Sequence, residues 1–321
     1  MAIVDHKGAV RGTAGSVVYR TYRNKNIIQG KPSKFKQTAE SVRAATEFGL
    51  SSSAAAVIRR AFEPAFIHRD GEAVSRTTAQ VYRALRSGVA ASAGQRDLHD
   101  AGLQELVGMD FNGNSKFAEV LQLSHAVERD EEGTITVSLG SFNPRKDLRK
   151  AAGYPKSASR YRIRLMAVAF DFRKEYLEYL DLQDVDIPDG QISTGETIRL
   201  KAQADPGCMV LVSMSLLLYN EIGRTGEYVL LNNKGFSPCA IIAAYPADEP
   251  SPADAIPLSI SEEAYPERCN NMQEMGYEGN RLLKRLARRL PPVPGASGTK
   301  TKPAPNTADR LPGGKISFRA R

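Results

Sequence analysis

Four aspartates in the middle of the chain come closest to a set of metal ligands: Asp181, Asp184, Asp186 and Asp189. Carboxylate oxygens at such short intervals, followed by Gly190, could bind calcium. Their spacing departs by one residue from that of an EF-hand loop, however, and no glutamate follows at the required offset. We therefore interpret the segment as a solvated loop between strands, with a calcium site as the alternative, and we predict no metal site.

The other side chains that could do chemistry are scattered. The histidines share neither metal-ligand spacing nor a pattern of neighbouring carboxylates, which favours surface or capping positions for His6, His68, His99 and His125. The sequence has no P-loop, no dinucleotide-binding glycine motif and no nucleophile elbow. We therefore predict no catalytic residues, no cofactor and no enzymatic activity.

The cysteines predict neither a disulfide framework nor a zinc site, because they are odd in number and lie 31 and 30 residues apart. Cys208 and Cys239 lie in or beside apolar stretches, where a reduced, buried thiol is expected, and Cys269 is the third. No charged-then-apolar leader opens the chain, and its longest apolar run is about half of the ~20 residues of a spanning helix. We expect a cytoplasmic protein or a component of a large bacterial or phage-like particle.

The net charge of +8 is unevenly distributed along the 321 residues. Residues 1–37 carry eight basic side chains against one acidic side chain, a net charge of +7. Residues 281–321 carry eleven against one, a net charge of +10, which leaves −9 for residues 38–280. Basic ends that flank an acidic body favour contact of those ends with an acidic surface, either of a protein or of a nucleic acid.

The most specific local pattern lies at residues 281–290, where leucines recur at helical spacing among basic residues. The basic residues are Arg281, Lys284, Arg285, Arg288 and Arg289. An amphipathic helix of this kind could contact an anionic membrane, a nucleic-acid backbone or an acidic groove of a protein. The alternative is an ordinary helix that packs on its own domain and solvates its basic face. Ten residues are too few for a stable isolated helix.

Residues 1–37 must position the basic amino-terminal side chains. A Val/Tyr-rich stretch at 17–22, a turn at 23–26 and a second apolar stretch at 27–29 predict a β-hairpin on an extended arm. We select Tyr19, Tyr22, Arg23 and Lys25 as its partner-binding residues. A lone hairpin is marginally stable in water, so we expect the arm to dock on a partner chain or on the protein's own body.

The rest of the chain divides into helical and strand-like regions. Helical spacing predicts helices from Thr38 to about residue 62, over 74–87 and over 97–107. After residue 108 the period shifts toward two and predicts strands at 134–139, 160–170, 177–182, 197–203, 209–219, 228–231 and 239–245. Short strands with regular turns favour an immunoglobulin-like β-sandwich.

The predicted architecture is therefore α+β, with five segments. They are a basic β-hairpin arm (1–37), antiparallel helices (38–112), a β-sandwich-like domain (113–248), a linker with the basic amphipathic helix (249–290) and an extended tail (291–321). The composition of the tail predicts disorder in isolation. Its last residues alternate like a strand, which makes Ile316, Phe318 and Arg319 further partner-binding candidates.

The amino-terminal pattern resembles an uncharacterised, mainly Bacteroidota family that carries only a domain-of-unknown-function label. The matching positions are Gly8, Gly12, Gly15, Val18, Tyr19, Lys31, Pro32, Thr38 and Phe48. Ser41 and Ala45 replace the glutamine and arginine of the family, and Asn24-Lys25 replaces its Gly-Lys turn. Residues 230–243, with Ser237, resemble the closing strand of the family. The resemblance implies an arm, helices and a β-domain, and it implies no activity.

These observations favour a structural or assembly protein whose basic arms contact acidic surfaces of neighbouring subunits. The partners are other copies of the chain or other subunits of a phage-like particle, an injection-type apparatus or a cell-surface machine. The alternative function is that of a protein that binds nucleic acid without sequence specificity. Specific recognition is not supported, because aromatic residues do not interleave with the basic arms in a stacking pattern. A membrane surface is not an expected partner.

Overall fold

A computed structural model describes residues 2–6, 8–22, 25–31, 37–88, 94, 96–99, 101–149, 153–223, 226–247 and 271–290. The mixed α+β class is confirmed: the described residues form four helices and several antiparallel sheets. In chain order the elements are β1 (Ala2–Val4), β2 (Val10–Ala14), β3 (Val17–Tyr22), β4 (Lys25–Gly30), α1 (Ala39–Ala61), α2 (Ala73–Ser87), α3 (Phe117–Val120), β5 (His125–Arg129), β6 (Thr134–Leu139), β7 (Arg160–Asp171), β8 (Tyr176–Pro188), β9 (Glu196–Lys201), β10 (Met209–Glu221), β11 (Tyr228–Leu230), β12 (Cys239–Tyr245), β13 (Met272–Glu274) and α4 (Gly279–Arg289).

A six-stranded antiparallel sheet lies at the centre of the body. Strands β13, β8, β7 and β10 are neighbours in that order, and β10 pairs on its far side with β12 at one end and β11 at the other. Both faces of β10 are buried from Met209 to Leu218. A strand that is buried on both faces carries a near-continuous apolar run, which explains the composition of this segment.

Two bulges interrupt the central sheet at the same level. The register of β8 shifts opposite Ala167 and Val168 of β7, and that of β12 shifts opposite Val212 and Ser213 of β10. Val212 pairs with Ala167, so the two irregularities flank one position of the β7–β10 pair. A bulge exchanges the faces of all residues beyond it and bends the strand. Leu177 of β8 therefore lies in the core beneath the helices, whereas Val185 and Ile187, beyond the bulge, lie in the core on the opposite face.

Helices α1 and α2 cover one face of the central sheet. Leu50 and Ile58 of α1 and Leu85 of α2 share one apolar core with Val168 and Phe170 of β7. Helix α1 begins where the sequence predicts, because the hydroxyl of Thr38 accepts a hydrogen bond from the backbone N–H of Ser41. The first backbone N–H groups of a helix have no carbonyl partner within the helix, and this cap provides one for Ser41.

A three-stranded sheet, β5–β6–β9, covers the opposite face. Ile135 and Val137 of β6 share a second apolar core with Leu165 of β7 and Val212 of β10. The body is therefore built in three layers, with helices, the central sheet and the small sheet stacked in that order. The central sheet and the small sheet pack face to face across the second core. This packing is compatible with the predicted β-domain of two sheets.

Three predictions for the body are wrong. The side chain of His99, expected at a surface or capping position, is 5% exposed, and its Nε2 atom lies 3.6 Å from a carboxylate oxygen of Asp171. Among the described residues of 97–107, only a single 3-10 turn, Leu103–Leu106, replaces the predicted third helix. The predicted loop through Asp181 and Asp186 is part of β8, which continues to Pro188. Strand β8 continues because Val185 and Ile187 enter the second core while the intervening aspartates point outward.

Replacing Val212 with Asp tests the assignment of the central strand. Val212 is 0% exposed, so the variant places an unpaired carboxylate in an apolar core. Such a group costs several kcal/mol, and we expect the body to unfold or to lose most of its stability in urea. Val229→Asp is the matched control, because Val229 of β11 is 46% exposed. A Val212→Asp protein as stable as this control would contradict the assignment.

Asp70 joins the α1–α2 connection to the segment that precedes α3. Its carboxylate accepts hydrogen bonds from Arg76 at 2.6 Å, from the backbone N–H of Glu72 at 2.7 Å and from the backbone N–H of Gly113. Burial alone would raise the pKa of Asp70, but these donors outweigh that effect and lower the pKa to about 2.

We predict that Asp70→Asn changes the acid stability of the protein. The folded-state pKa lies below the unfolded value of about 3.9, so the carboxylate stabilises the fold above pH 4, and this contribution is lost as the pH falls through about 2. The shift corresponds to about 2 kcal/mol at pH 7. Urea unfolding of the variant at pH 7, 4 and 2.5 should show that loss at pH 7 and a flatter pH dependence. Arg76→Gln should reproduce part of the effect, and an unchanged profile for both variants would contradict the assignment.

Candidate docking surfaces

The first candidate surface is the amino-terminal sheet, in which β1, β2, β3 and β4 are consecutive antiparallel neighbours. This four-stranded sheet replaces the single predicted hairpin, whose two strands correspond to β3 and β4. The spaced glycines permit the tight turns: Gly15, between β2 and β3, has φ +58°, which a residue with a side chain adopts at a cost.

The strand register separates charged from uncharged residues. Side chains that pair directly across an antiparallel sheet lie on the same face. One face is uncharged and consists of Ala2, Val4, Val10, Gly12, Ala14, Val17, Tyr19, Thr21, Asn26, Ile28 and Gly30. The other face carries all the cations of the strands, Arg11, Arg20 and Lys25, together with Ile3, Val18, Tyr22 and Ile27. The sheet is therefore two-sided, with one uncharged and mostly apolar face, called the apolar face below, and one basic face, on which Ile3 is also 67% exposed.

None of the described side chains among residues 2–31 is buried or belongs to either core of the body. On the apolar face, Val4 is 65% exposed and Ile28 is 67% exposed. Small antiparallel sheets gain stability by burying one apolar face. The described part of this chain supplies no such cover for the amino-terminal sheet.

The structure brings together some of the predicted arm residues. Tyr22 and Lys25 are direct partners across β3 and β4 on the basic face. Tyr19 lies on the apolar face, opposite Ile28. Arg23 is outside the described residues, as are Ile316, Phe318 and Arg319 of the tail.

The second candidate surface is the exposed face of α4. Its leucines pack on the protein's own body: Leu286 is buried, Leu283 contacts the first core, and Leu282 lies against Gly49 of α1. A Cβ atom at Gly49 would meet the Leu282 side chain at 2.9 Å, so the glycine makes room for this contact. The sequence left two interpretations of this helix, docking on an anionic partner and packing on its own domain. The leucine face follows the second.

Polar contacts fix the start of α4. The side-chain amide of Asn280 donates to the carbonyl oxygens of Phe172 and Arg173 at 2.9 and 3.0 Å, and to the carboxylate of Glu175 at 2.9 Å. The backbone N–H of Glu278 donates to the hydroxyl of Ser53 at 2.9 Å. Helix α4 is therefore held against both the β7–β8 turn and α1.

All five predicted cations of α4 are exposed: Arg281, Lys284, Arg285, Arg288 and Arg289. At 100° per residue they occupy an arc of about 140° on the side opposite the leucines. Arg281 has a carboxylate partner, Glu278, at 3.2 Å. Within the described part of the chain, the other four have no carboxylate within 4.0 Å. We call these five residues the α4 ridge.

An acidic sheet edge was not found from the sequence. Strand β5 is the outer strand of the small sheet, and β6 is its only strand partner among the described residues. Glu128 of β5 and the turn that follows, with Asp130, Glu131 and Glu132, are exposed and acidic. A five-residue strand of mixed composition gives a weak periodic signal, although the acidic run itself is visible in the sequence.

Three of the four aspartates singled out as an alternative calcium site pair with arginines, whereas Asp181 accepts hydrogen bonds from the backbone N–H groups of Leu182 and Lys201 and from the amide of Gln183. Asp186 pairs with Arg162 at 2.6 Å, and Asp184 pairs with Arg164 at 2.8 Å, both through two parallel hydrogen bonds. The hydrogen bond from Arg162 lowers the pKa of Asp186. Across the described ranges, no three His, Cys, Asp or Glu side chains are grouped as metal ligands. Asp184 and Asp186 therefore neutralise the arginines of β7, and Asp189 pairs with Arg145.

The described cysteines are buried thiols. Burial raises the pKa of Cys208 to about 12, and its sulfur lies 3.2 Å from the hydroxyl of Tyr176. Cys239 is fully enclosed, which raises its pKa well above the usual value. Thiols held in the protonated form are poor nucleophiles. Cys269 lies outside the described residues.

Asn280→Asp should release α4 from the body. The substitution places a carboxylate against two carbonyl oxygens and Glu175, at a cost of about 1–3 kcal/mol. Local opening of α4 should then increase about ten- to a hundredfold, which trypsin cleavage after Lys284 and Arg285 would report by mass spectrometry. Asn220→Asp near the end of β10 is the control. Equal cleavage rates in the two variants would show that Asn280 does not hold the helix.

Among the helices that the structure describes, none has the length and apolar character that crossing a bilayer requires. No family model matches the chain, and no curated protein matches it. The resemblance of the amino-terminal segment to a family of unknown function therefore stays a prediction.

Proposed function

We propose that this chain is a structural protein that assembles into a large complex through its amino-terminal sheet. The observation that carries the proposal is the apolar face of that sheet, on which Val4 and Ile28 are about two-thirds exposed. The largest apolar patch on a protein surface is often an interaction site, and this face is our candidate for one. The complex would be a phage-like particle, an injection-type apparatus or a cell-surface machine, and the protein would have no enzymatic role.

The size of the sheet indicates how it would bind. Four strands at about 4.8 Å spacing, each up to six residues long, present a face of roughly 300–400 Å². A stable interface buries about 800 Å² on each partner, so one such contact is weak. Several weak contacts in one assembly reinforce each other because each holds the others at high effective concentration. The geometry therefore fits a repeated structure better than an isolated dimer.

The acidic edge of β5 is the proposed receiving surface on a neighbouring copy. Strand β4 is an outer strand of the amino-terminal sheet, and its open backbone groups could pair with those of β5. Lys25 and Arg20 on the basic face would then lie near Glu128 and the acidic turn of the partner copy. In this proposal the two sheets of the body form an immunoglobulin-like sandwich, which carries the receiving edge.

Such a contact is head-to-tail, because β4 of one copy meets β5 of the next. Contacts of this type generate rings or filaments according to whether the rotation closes. The opposite charges favour encounter, whereas the backbone hydrogen bonds and apolar face hold the complex. Assembly should therefore depend on protein concentration and only modestly on salt.

Deleting residues 1–37 should abolish assembly and leave a folded body. No described residue before Val42 belongs to the buried core, so the thermal midpoint of the body should change by less than about 2 °C. Light scattering coupled to size-exclusion chromatography over a concentration series would report the mass of both proteins. A full-length chain that stays monomeric, or a truncated chain that assembles normally, would contradict the proposal.

Charge reversal on the β5 edge tests the receiving surface separately. The variant Glu128→Lys, Glu131→Lys, Glu132→Lys should repel the basic arm and raise the concentration needed for assembly about tenfold or more. The matched control reverses three exposed carboxylates elsewhere, Glu63→Lys, Glu105→Lys and Glu274→Lys. If both variants assemble alike while the truncation does not, the arm acts on a different surface.

A further inference from the structure

The α4 ridge is not used by the proposed assembly contact. Its cations lie on one arc of a helix that three leucines and the amide of Asn280 fix to the body. A row of cations on a fixed helix differs from a flexible basic tail, because little backbone freedom is lost when it binds. The ridge is therefore a preorganised cationic surface.

The clustering of unpaired cations distinguishes this surface from the paired arginines of the central sheet. Arg162 and Arg164 on β7 are paired with aspartates, and Arg145 pairs with Asp189 at 3.0 Å. Lys284, Arg285, Arg288 and Arg289 have no such partner among the described residues. The ridge thus keeps an uncompensated charge of about +4 within three helical turns.

Three kinds of anionic partner were open from the sequence, and the structure separates them. Insertion into a membrane needs the leucines, but these are packed against α1 and the first core. The remaining partners are an acidic protein and a nucleic acid. Four of the five cations are arginines, whose planar fork matches the oxygens of a phosphate group in a bidentate manner.

We propose that the α4 ridge binds the phosphate backbone of double-stranded nucleic acid without reading its sequence. Helix α4 is about 16 Å long, and a duplex carries one charge per about 1.7 Å of axis, so it offers more phosphates than the five cations can contact. The helix has no aromatic side chain for base stacking, which favours a duplex over a single strand.

Fluorescence anisotropy with a labelled 20-base-pair DNA of arbitrary sequence tests the proposal. For five phosphate contacts the affinity of the full-length protein should fall about 500-fold between 50 and 200 mM KCl. The variant Lys284→Gln, Arg285→Gln, Arg288→Gln, Arg289→Gln should reduce the log–log salt slope by about 3.6, which is about 0.9 per contact. These side chains are exposed, so the variant should keep the thermal midpoint of the unmodified protein. Measuring that midpoint shows whether a loss of affinity comes from misfolding.

The matched control removes the same charge, three arginines and one lysine, from exposed positions elsewhere in the body: Arg69→Gln, Arg149→Gln, Arg199→Gln, Lys234→Gln. This control should keep the salt slope of the unmodified protein. An equal loss in the control, or an unchanged slope in the α4 variant, would overturn the proposal.

Polyglutamate of equal total charge serves as competitor, and displacement as effective as that by unlabelled DNA would identify an acidic protein as the partner instead. The truncation of residues 1–37 should still bind DNA, so failure of the assembly proposal leaves this result unaffected.

Discussion

The antiparallel pairing of β7 with β10 is the interaction on which the rest of the body depends. Eleven residue pairs, from Phe170 with Met209 to Arg160 with Tyr219, join the two strands. Because successive side chains alternate between faces, both strands need cover on two sides. The helices and the small sheet supply that cover, and each layer shares its core with the central sheet. Among the described residues, neither outer layer has a core of its own.

The body and its ends treat positive charge in opposite ways. Within the central sheet, Arg162 and Arg164 lie opposite Asp186 and Asp184, so their charge is cancelled at short range. On α4 and on the basic face of the amino-terminal sheet, cations outnumber nearby carboxylates. An uncompensated field attracts acidic partners over a distance of about 10 Å at moderate salt, whereas a paired one does not. Both proposed contacts, that of the amino-terminal sheet and that of the α4 ridge, are favoured by such a field. The first is held by backbone hydrogen bonds and apolar surface, the second by contacts with phosphates.

Periodicity in the sequence predicted the strands that line the cores. Strands β6 and β12 have the predicted bounds, and α1 begins at the predicted cap, Thr38. The prediction of a loop over Asp181–Asp189 was wrong because closely spaced aspartates are typical of loops, whereas here Asp184 and Asp186 lie on one face of a strand. Val185 and Ile187 alternate with them, and the matching arginines of β7 are the complementary signal. The short strands β1, β2 and β5 were missed because few residues carry their period.

The sequence by itself determined the charge of each segment, the amphipathic character of α4 and the apolar runs that become the central strands. Only the tertiary structure decided what those features contact. The leucines of α4 lie on α1 because Gly49 leaves room for Leu282 there. The apolar face of the amino-terminal sheet and the open edge of β5 exist only once strands are paired in register. Local periodicity fixes which residues of a strand share a face, but pairing joins segments that are distant in sequence, and no local pattern names the partner.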